Sequence, residues 1–175
     1  MAVVDLHLHT TWSDGRLSPK QLIELLVRNG LRVVALTDHD STQGLTEAFE
    51  AASLTKDLTI IPGVELSTDI PGNEIHILGY FIDYQDTDFQ NTLEEFRVGR
   101  IDRASRMVNK LAELGLPVKW ERVLEIAGDG AVGRPHIAQA MVEEGYITYP
   151  QEAFETYLGR NGSVSYTHLR AHETR

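Results

Sequence analysis

Apolar and polar positions alternate around the stretch from Val3 to Thr10, the pattern of a half-buried strand. Thr11 to Leu17 is polar and contains Asp14-Gly15, a turn signal. Ser18-Pro19-Lys20-Gln21 predicts a helix start: Ser18 as N-cap, Pro19 in the first turn and Gln21 closing a capping box. Leu22, Ile23, Leu25 and Leu26 supply the buried stripe, and Asn29-Gly30 ends the helix. Val33-Val34-Ala35-Leu36 reads as a buried strand, followed by a helix over about 45–53. Leu58-Thr59-Ile60-Ile61 reads as a third strand broken by Pro62-Gly63, and Glu74 to Phe81 as a fourth. Strand, helix, strand, helix, strand, strand implies an α/β fold with parallel strands over residues 1–88.

The second half changes character. Phe89 to Leu114 is one long helical pattern, stopped by Gly115-Leu116-Pro117. Trp120 to Ala127, Pro135 to Glu144 and Gln151 to Leu158 read as shorter helices, so 89–162 forms a helical insertion or subdomain. The residues from 163 to 175, with His168 and His172, break in composition with what precedes. They resemble the translated read-through of a sequencing-library adapter. We treat them as a non-native tail without function and expect the natural chain to continue beyond about Gly162.

Composition narrows the function classes. The chain has 175 residues and 42% apolar content, a range that supports a packed core. It has no Cys, which excludes disulfides, thiolate metal sites and a thiol nucleophile. Lys and Arg number 16 against 26 Asp and Glu, a net charge of −10. That argues against gripping duplex DNA by counterion release, but not against a nucleotide met by metal ions. No apolar run approaches the roughly 18 residues of a membrane span, and the N-terminus lacks a basic start. A cytoplasmic protein is the expectation.

Five His remain outside the tail. His7 and His9 lie two apart on the first strand and so share a face, suited to a divalent metal. Asp14 is either a ligand or an Asp-Gly turn residue. His39, in Asp38-His39-Asp40 at the end of the second strand, is either a ligand or part of a capped turn; Asp38 and Asp40 read as supporting or turn residues. Glu65, just past the third strand, could bridge two cations. His76 sits in an apolar strand and is either a core residue or a ligand. Jointly, four strands place imidazoles and carboxylates near one rim, a donor set favouring Zn, Mn or Fe over Ca or Mg.

Asp5-Leu6-His7-Leu8-His9-Thr10, Ser13-Asp14-Gly15, Thr37-Asp38-His39-Asp40, Gly63-Val64-Glu65 and His76-Ile77-Leu78-Gly79-Tyr80, in this order, resemble the polymerase-and-histidinol-phosphatase (PHP) family. The resemblance implies a distorted (β/α)7 PHP barrel that holds three metals, often manganese, and hydrolyses phosphoesters. By position it makes His7, His9, Asp14, His39, Glu65 and His76 the metal ligands, with Glu65 the bridge. Gly133-Arg134-Pro135-His136-Ile137-Ala138 resembles the branch that acts on nucleoside 3′,5′-bisphosphates and trims short RNA from the 5′ end. The resemblance spans 1–162. The family's later ligands, a His and then an Asp-x-His pair, have no match before the tail, so an incomplete barrel is expected.

The reaction expected is in-line attack on phosphorus by a metal-activated water, with no side chain assigned as nucleophile. Arg134 and His136 would clamp a second phosphate; the other readings of that motif are a surface Arg and a helix-N-terminal His. The alternatives are another phosphomonoesterase of the family, such as a histidinol-phosphate phosphatase, and a non-catalytic metal-binding module.

Overall fold

A computed structural model of the chain describes residues 3–55, 58–70, 73–159 and 162–164. His168, His172 and the rest of the tail beyond Val164 lie outside the described residues. The elements run β1 (Val4–Leu8), α1 (Pro19–Arg28), β2 (Val33–Leu36), α2 (Leu45–Ser53), β3 (Thr59–Ile70), β4 (Asn73–Tyr80), α3 (Thr87–Glu113), α4 (Trp120–Ala127), α5 (Arg134–Glu143) and α6 (Pro150–Ala153), with a π-helical turn at Phe154–Leu158. The four strands form one sheet in the order β1-β2-β3-β4. β1 pairs with β2 and β2 with β3, both parallel. Two residues separate β3 from β4, a connection that only antiparallel neighbours permit. The mixed α/β architecture is that of an incomplete barrel: the sheet curls until Tyr80 at the end of β4 donates its hydroxyl to the Leu6 carbonyl of β1, at 2.9 Å. No helix among the described residues is long and apolar enough to cross a membrane.

The described residues divide into two compact units, one made of those within 1–67, 76–96 and 129–131, the other of those within 68–75, 97–128 and 132–164. In the first, α1 starts as its sequence dictates. Ser18 Oγ accepts from the Gln21 N–H at 3.3 Å, and Gln21 Oε1 accepts from the Ser18 N–H at 3.0 Å. Gly30, at φ +75°, supplies the left-handed residue that ends the helix. Leu22, Ile23 and Leu26 of α1 then pack with Val34 and Leu36 of β2, Leu45 and Ala48 of α2 and Ile60 of β3. The second unit has its own core, in which Met107, Leu111, Val123, Ile137 and Met141 interlock.

Two departures from the sequence pattern bear on the site. Pro62-Gly63 does not break the third strand; β3 runs through it to Ile70, and Glu65 lies inside the strand. Pro62 stands opposite Leu36 and has no N–H to donate, while its carbonyl accepts from the Ile82 N–H at 3.4 Å. Gly63 lets neighbouring chains close in: a Cβ there would stand 2.9 Å from the Leu36 carbonyl oxygen and 3.1 Å from that of Gly79. β1 in turn stops at Leu8, so His9 follows the strand instead of sitting in it. The Leu8 carbonyl accepts from the Thr37 N–H at 2.8 Å, but the next N–H that matters, that of Thr10, is taken by a side chain, Asp38. Gly63→Ala should destabilise the protein by about 1–3 kcal/mol through this overpacking, read as a lower urea midpoint with unchanged slope; an unchanged midpoint would show that the strands can part.

Candidate metal centre

The β2–β3 ladder does not end with β2. His39 and Glu65 form a further parallel bridge, with the Asp40 N–H on the Glu65 carbonyl at 3.0 Å and the Glu65 N–H on the Asp38 carbonyl at 3.2 Å. That backbone pairing sets the two side chains next to each other at the rim. Asp40 takes φ +49° there and accepts from the Ser67 N–H at 2.9 Å, which fixes the exit from the ladder. The loop after β1 is folded as tightly. The Thr10 carbonyl accepts from both Ser13 N–H and Gly15 N–H, at 3.0 and 2.9 Å. A side chain at position 15 would collide with the His9 backbone, so the Asp14-Gly15 pair is needed for the turn that delivers Asp14.

All six predicted ligands come together. The Glu65 side chain, 5% exposed, is the hub: Oε2 lies 2.7 Å from His7 Nε2, 3.1 Å from His9 Nε2 and 3.7 Å from His39 Nδ1, and Oε1 lies 2.6 Å from His76 Nδ1. Asp14 closes the other side, with Oδ1 3.4 Å from His9 Nδ1 and Oδ2 3.7 Å from His39 Nε2. The imidazoles follow one another at 4.7–5.0 Å between ring centres, from His7 through His9 and His39 to His76. Three overlapping groups, His7/His9/Glu65, His9/Asp14/His39 and His39/Glu65/His76, each offer ligand atoms within 4.8 Å of one another. Four imidazoles and two carboxylates so packed fit divalent cations: the donors are nitrogen and oxygen, three of them converge in each group, and the two oxygens of Glu65 can serve adjacent centres. His76 is therefore a rim residue with 30% of its side chain exposed, not a core histidine.

The electrostatics follow from this packing. Burial pushes the Glu65 carboxyl up, but hydrogen bonds with His7 and His76 and the charges of His76 and His9 outweigh it and hold the group below its ordinary value. Asp38 goes the other way. Burial raises its carboxyl despite hydrogen bonds from Ser13 and Thr10. Those donors, Ser13 Oγ at 2.6 Å, Thr10 N–H at 2.6 Å and Thr10 Oγ1 at 2.7 Å, are what sequence reasoning left out. The only available signal was that Thr10 and Ser13 flank His9 and Asp14.

Arg134 and His136 belong to the second unit. Arg134 is the half-buried first residue of α5. His136 is buried, and its Nδ1 accepts from the Gly133 N–H at 2.9 Å, so the neutral ring carries its proton on Nε2.

A family model described as the PHP domain matches residues 5–157. The chain belongs to the PHP family. Its relatives include a 5′-3′ exoribonuclease, Rnm, from Salmonella typhimurium, 37% identical over 165 residues, which cover 94% of this chain and 56% of that protein. A 3′,5′-nucleoside bisphosphate phosphatase from Chromobacterium violaceum is 32% identical over 169 residues, 95% of this chain and 59% of that protein. This PHP chain thus spans a little over half the length of these relatives. An amidohydrolase structure from Chromobacterium violaceum, with bound sulfate and no metal, superposes with a TM-score of 0.87 at 30% identity, covering 95% of this chain and 59% of that one. A Bifidobacterium adolescentis structure described as a metal-dependent phosphoesterase gives 0.81 at 31%, covering 95% and 56%.

A carboxyl held below its unfolded value stabilises the fold above that value, and the contribution is lost as pH falls through the folded one. Glu65→Gln should therefore flatten the loss of melting temperature between about pH 6 and pH 3. Parallel curves for the two proteins would show that Glu65 does not couple to folding.

Proposed function

We propose that this PHP chain carries the metal-binding half of a phosphoester hydrolase that removes the 3′-phosphate from nucleoside 3′,5′-bisphosphates and trims short RNA from its 5′ end. The observation that carries the reading is the convergence of His7, His9, Asp14, His39, Glu65 and His76 around one buried carboxylate. The relatives named for these two activities, 37% and 32% identical, support the choice of substrate.

Cations bound here would supply positive charge for phosphoryl oxygens and an activated water for hydrolysis. The chain's own residues do the rest. Glu65 presents its two oxygens to different imidazoles and so divides the ligand set into adjacent groups. Asp14 stands against His9 and His39 and completes the group away from His7. The half-exposed His7 leaves one side of the cluster open to solvent, which is the side a phosphate can approach. Manganese is the proposed metal on the family resemblance; the imidazole and carboxylate donors, with no thiolate, suit zinc and iron as well. Arg134 would fork onto the second phosphate, and His136, three residues from Gly133 at the start of the same helix, would add a contact to that phosphate. A chain with a net charge of −10 then meets an anionic substrate through local positive groups, in the cytoplasm, without a wide basic face.

The test is phosphate release from adenosine 3′,5′-bisphosphate with Mn²⁺, measured on the full-length natural protein. Release well above a His7→Ala, His9→Ala variant is expected, and equal rates would sink the reading. Arg134→Ala should lower the rate on bisphosphates roughly 10–100-fold, the worth of a charge-assisted hydrogen bond, and leave monophosphates nearly unchanged. Equal losses on both would remove Arg134 from substrate selection.

A further inference from the structure

The His9 ring sits between neighbours of different kinds. Its Nε2 faces Glu65 Oε2 at 3.1 Å, on the side of the ligand cluster. Its Nδ1 faces Ser13 Oγ at 3.3 Å, with Asp14 Oδ1 at 3.4 Å beyond. Ser13 is 1% exposed, and its hydroxyl has a single proton. That proton goes to Asp38 Oδ1 at 2.6 Å. An oxygen that has given its proton to a carboxylate meets the ring as an acceptor, so with Asp14 on the same side it asks for a proton on Nδ1, in competition with the Glu65 carboxylate at Nε2.

Asp38 is well placed to hold this direction. It is 3% exposed. Oδ1 also accepts from the Thr10 N–H at 2.6 Å, and Oδ2 takes the Thr10 hydroxyl at 2.7 Å. Thr10 Oγ1 in turn accepts from the Trp12 N–H at 3.1 Å, which leaves its proton no other use. Every donor around the carboxylate points inward, and the carboxylate cannot return a proton to Ser13 without breaking the set. The Thr10–Ser13 turn that carries these donors is the one that delivers Asp14.

We infer that the Asp38–Ser13 pair is a positioning device that keeps the His9 proton on Nδ1 and turns the Nε2 lone pair toward the cation ligands. Asp38 touches neither substrate nor cation; it acts through Ser13 on the ring. Buried partners of this kind orient metal-binding imidazoles and fix their tautomer in many sites. The inference rests on the metal-binding reading above.

Two measurements on the 175-residue chain test it. The first is the ¹⁵N imidazole spectrum without added metal, at a pH where the rings are neutral. The second is titration with Zn²⁺ alone, followed by calorimetry. In the unaltered chain the His9 proton should reside on Nδ1. Ser13→Ala removes the nearer acceptor and leaves Asp14 Oδ1 at 3.4 Å on that side; the proton should shift toward Nε2, where Glu65 accepts it, and zinc affinity should fall roughly 10–100-fold. Ser13→Thr keeps a hydroxyl and should restore both. A change in packing alone would weaken zinc without moving the proton. A His9 proton on Nε2 in the unaltered chain, or a Ser13→Ala variant with the same spectrum and affinity, overturns the inference. An unaltered chain that takes up no zinc overturns the metal-binding reading, and the positioning role falls with it.

Discussion

Glu65 is a nearly buried carboxylate whose two oxygens face four imidazoles, the shortest contacts being 2.6 and 2.7 Å. Burying an ionised carboxylate without partners costs several kcal/mol or more, and here the partners are drawn from three separate segments of chain. The parallel ladder between β2 and β3 continues past its last regular pair to place His39 beside Glu65. β1 delivers His7, the tight turn after it delivers His9 and Asp14, and β4 returns alongside β3 to deliver His76. Remove the carboxylate and His7 and His76 would lose the anion they face, with Asp14 left against His9 and His39 alone.

Much of this was legible in the sequence, for physical reasons that differ by element. The capping box at Ser18 and the glycine stop at Gly30 are local, so their chemistry is written in a few adjacent residues. His7, His9, Asp14, His39, Glu65 and His76 were legible as ordered motifs on and just after successive strands, and the sheet, with β4 turning back along β3, brings them to one rim. The run of β3 through Pro62-Gly63 was not legible. Proline and glycine ordinarily end a strand, and only the neighbouring Leu36 and Gly79 carbonyls explain why both are accommodated here. Nor was the inward set of donors on Asp38. It joins Thr10 and Ser13 to a residue 28 and 25 positions away, and no periodicity encodes such a bond.

The division of labour between the two units is chemical as well as structural. The first builds its core from α1, α2 and the sheet, and spends its polar residues on the rim: Thr10, Ser13, Asp38, Asp40 and Glu65 are all buried there. The second is a helical unit with a continuous apolar core of its own. The region matched by the PHP family model, residues 5–157, includes every one of these rim residues.

The claim on which the rest stands is that the six side chains form a cation centre. Elemental analysis of the purified chain after exposure to Mn²⁺ or Zn²⁺ and removal of free metal addresses it without reference to any substrate. About two or three divalent ions per chain are expected, matching three overlapping ligand groups, with most of them lost in Glu65→Ala. Metal content near zero in the unaltered chain, or equal content in Glu65→Ala, would contradict it.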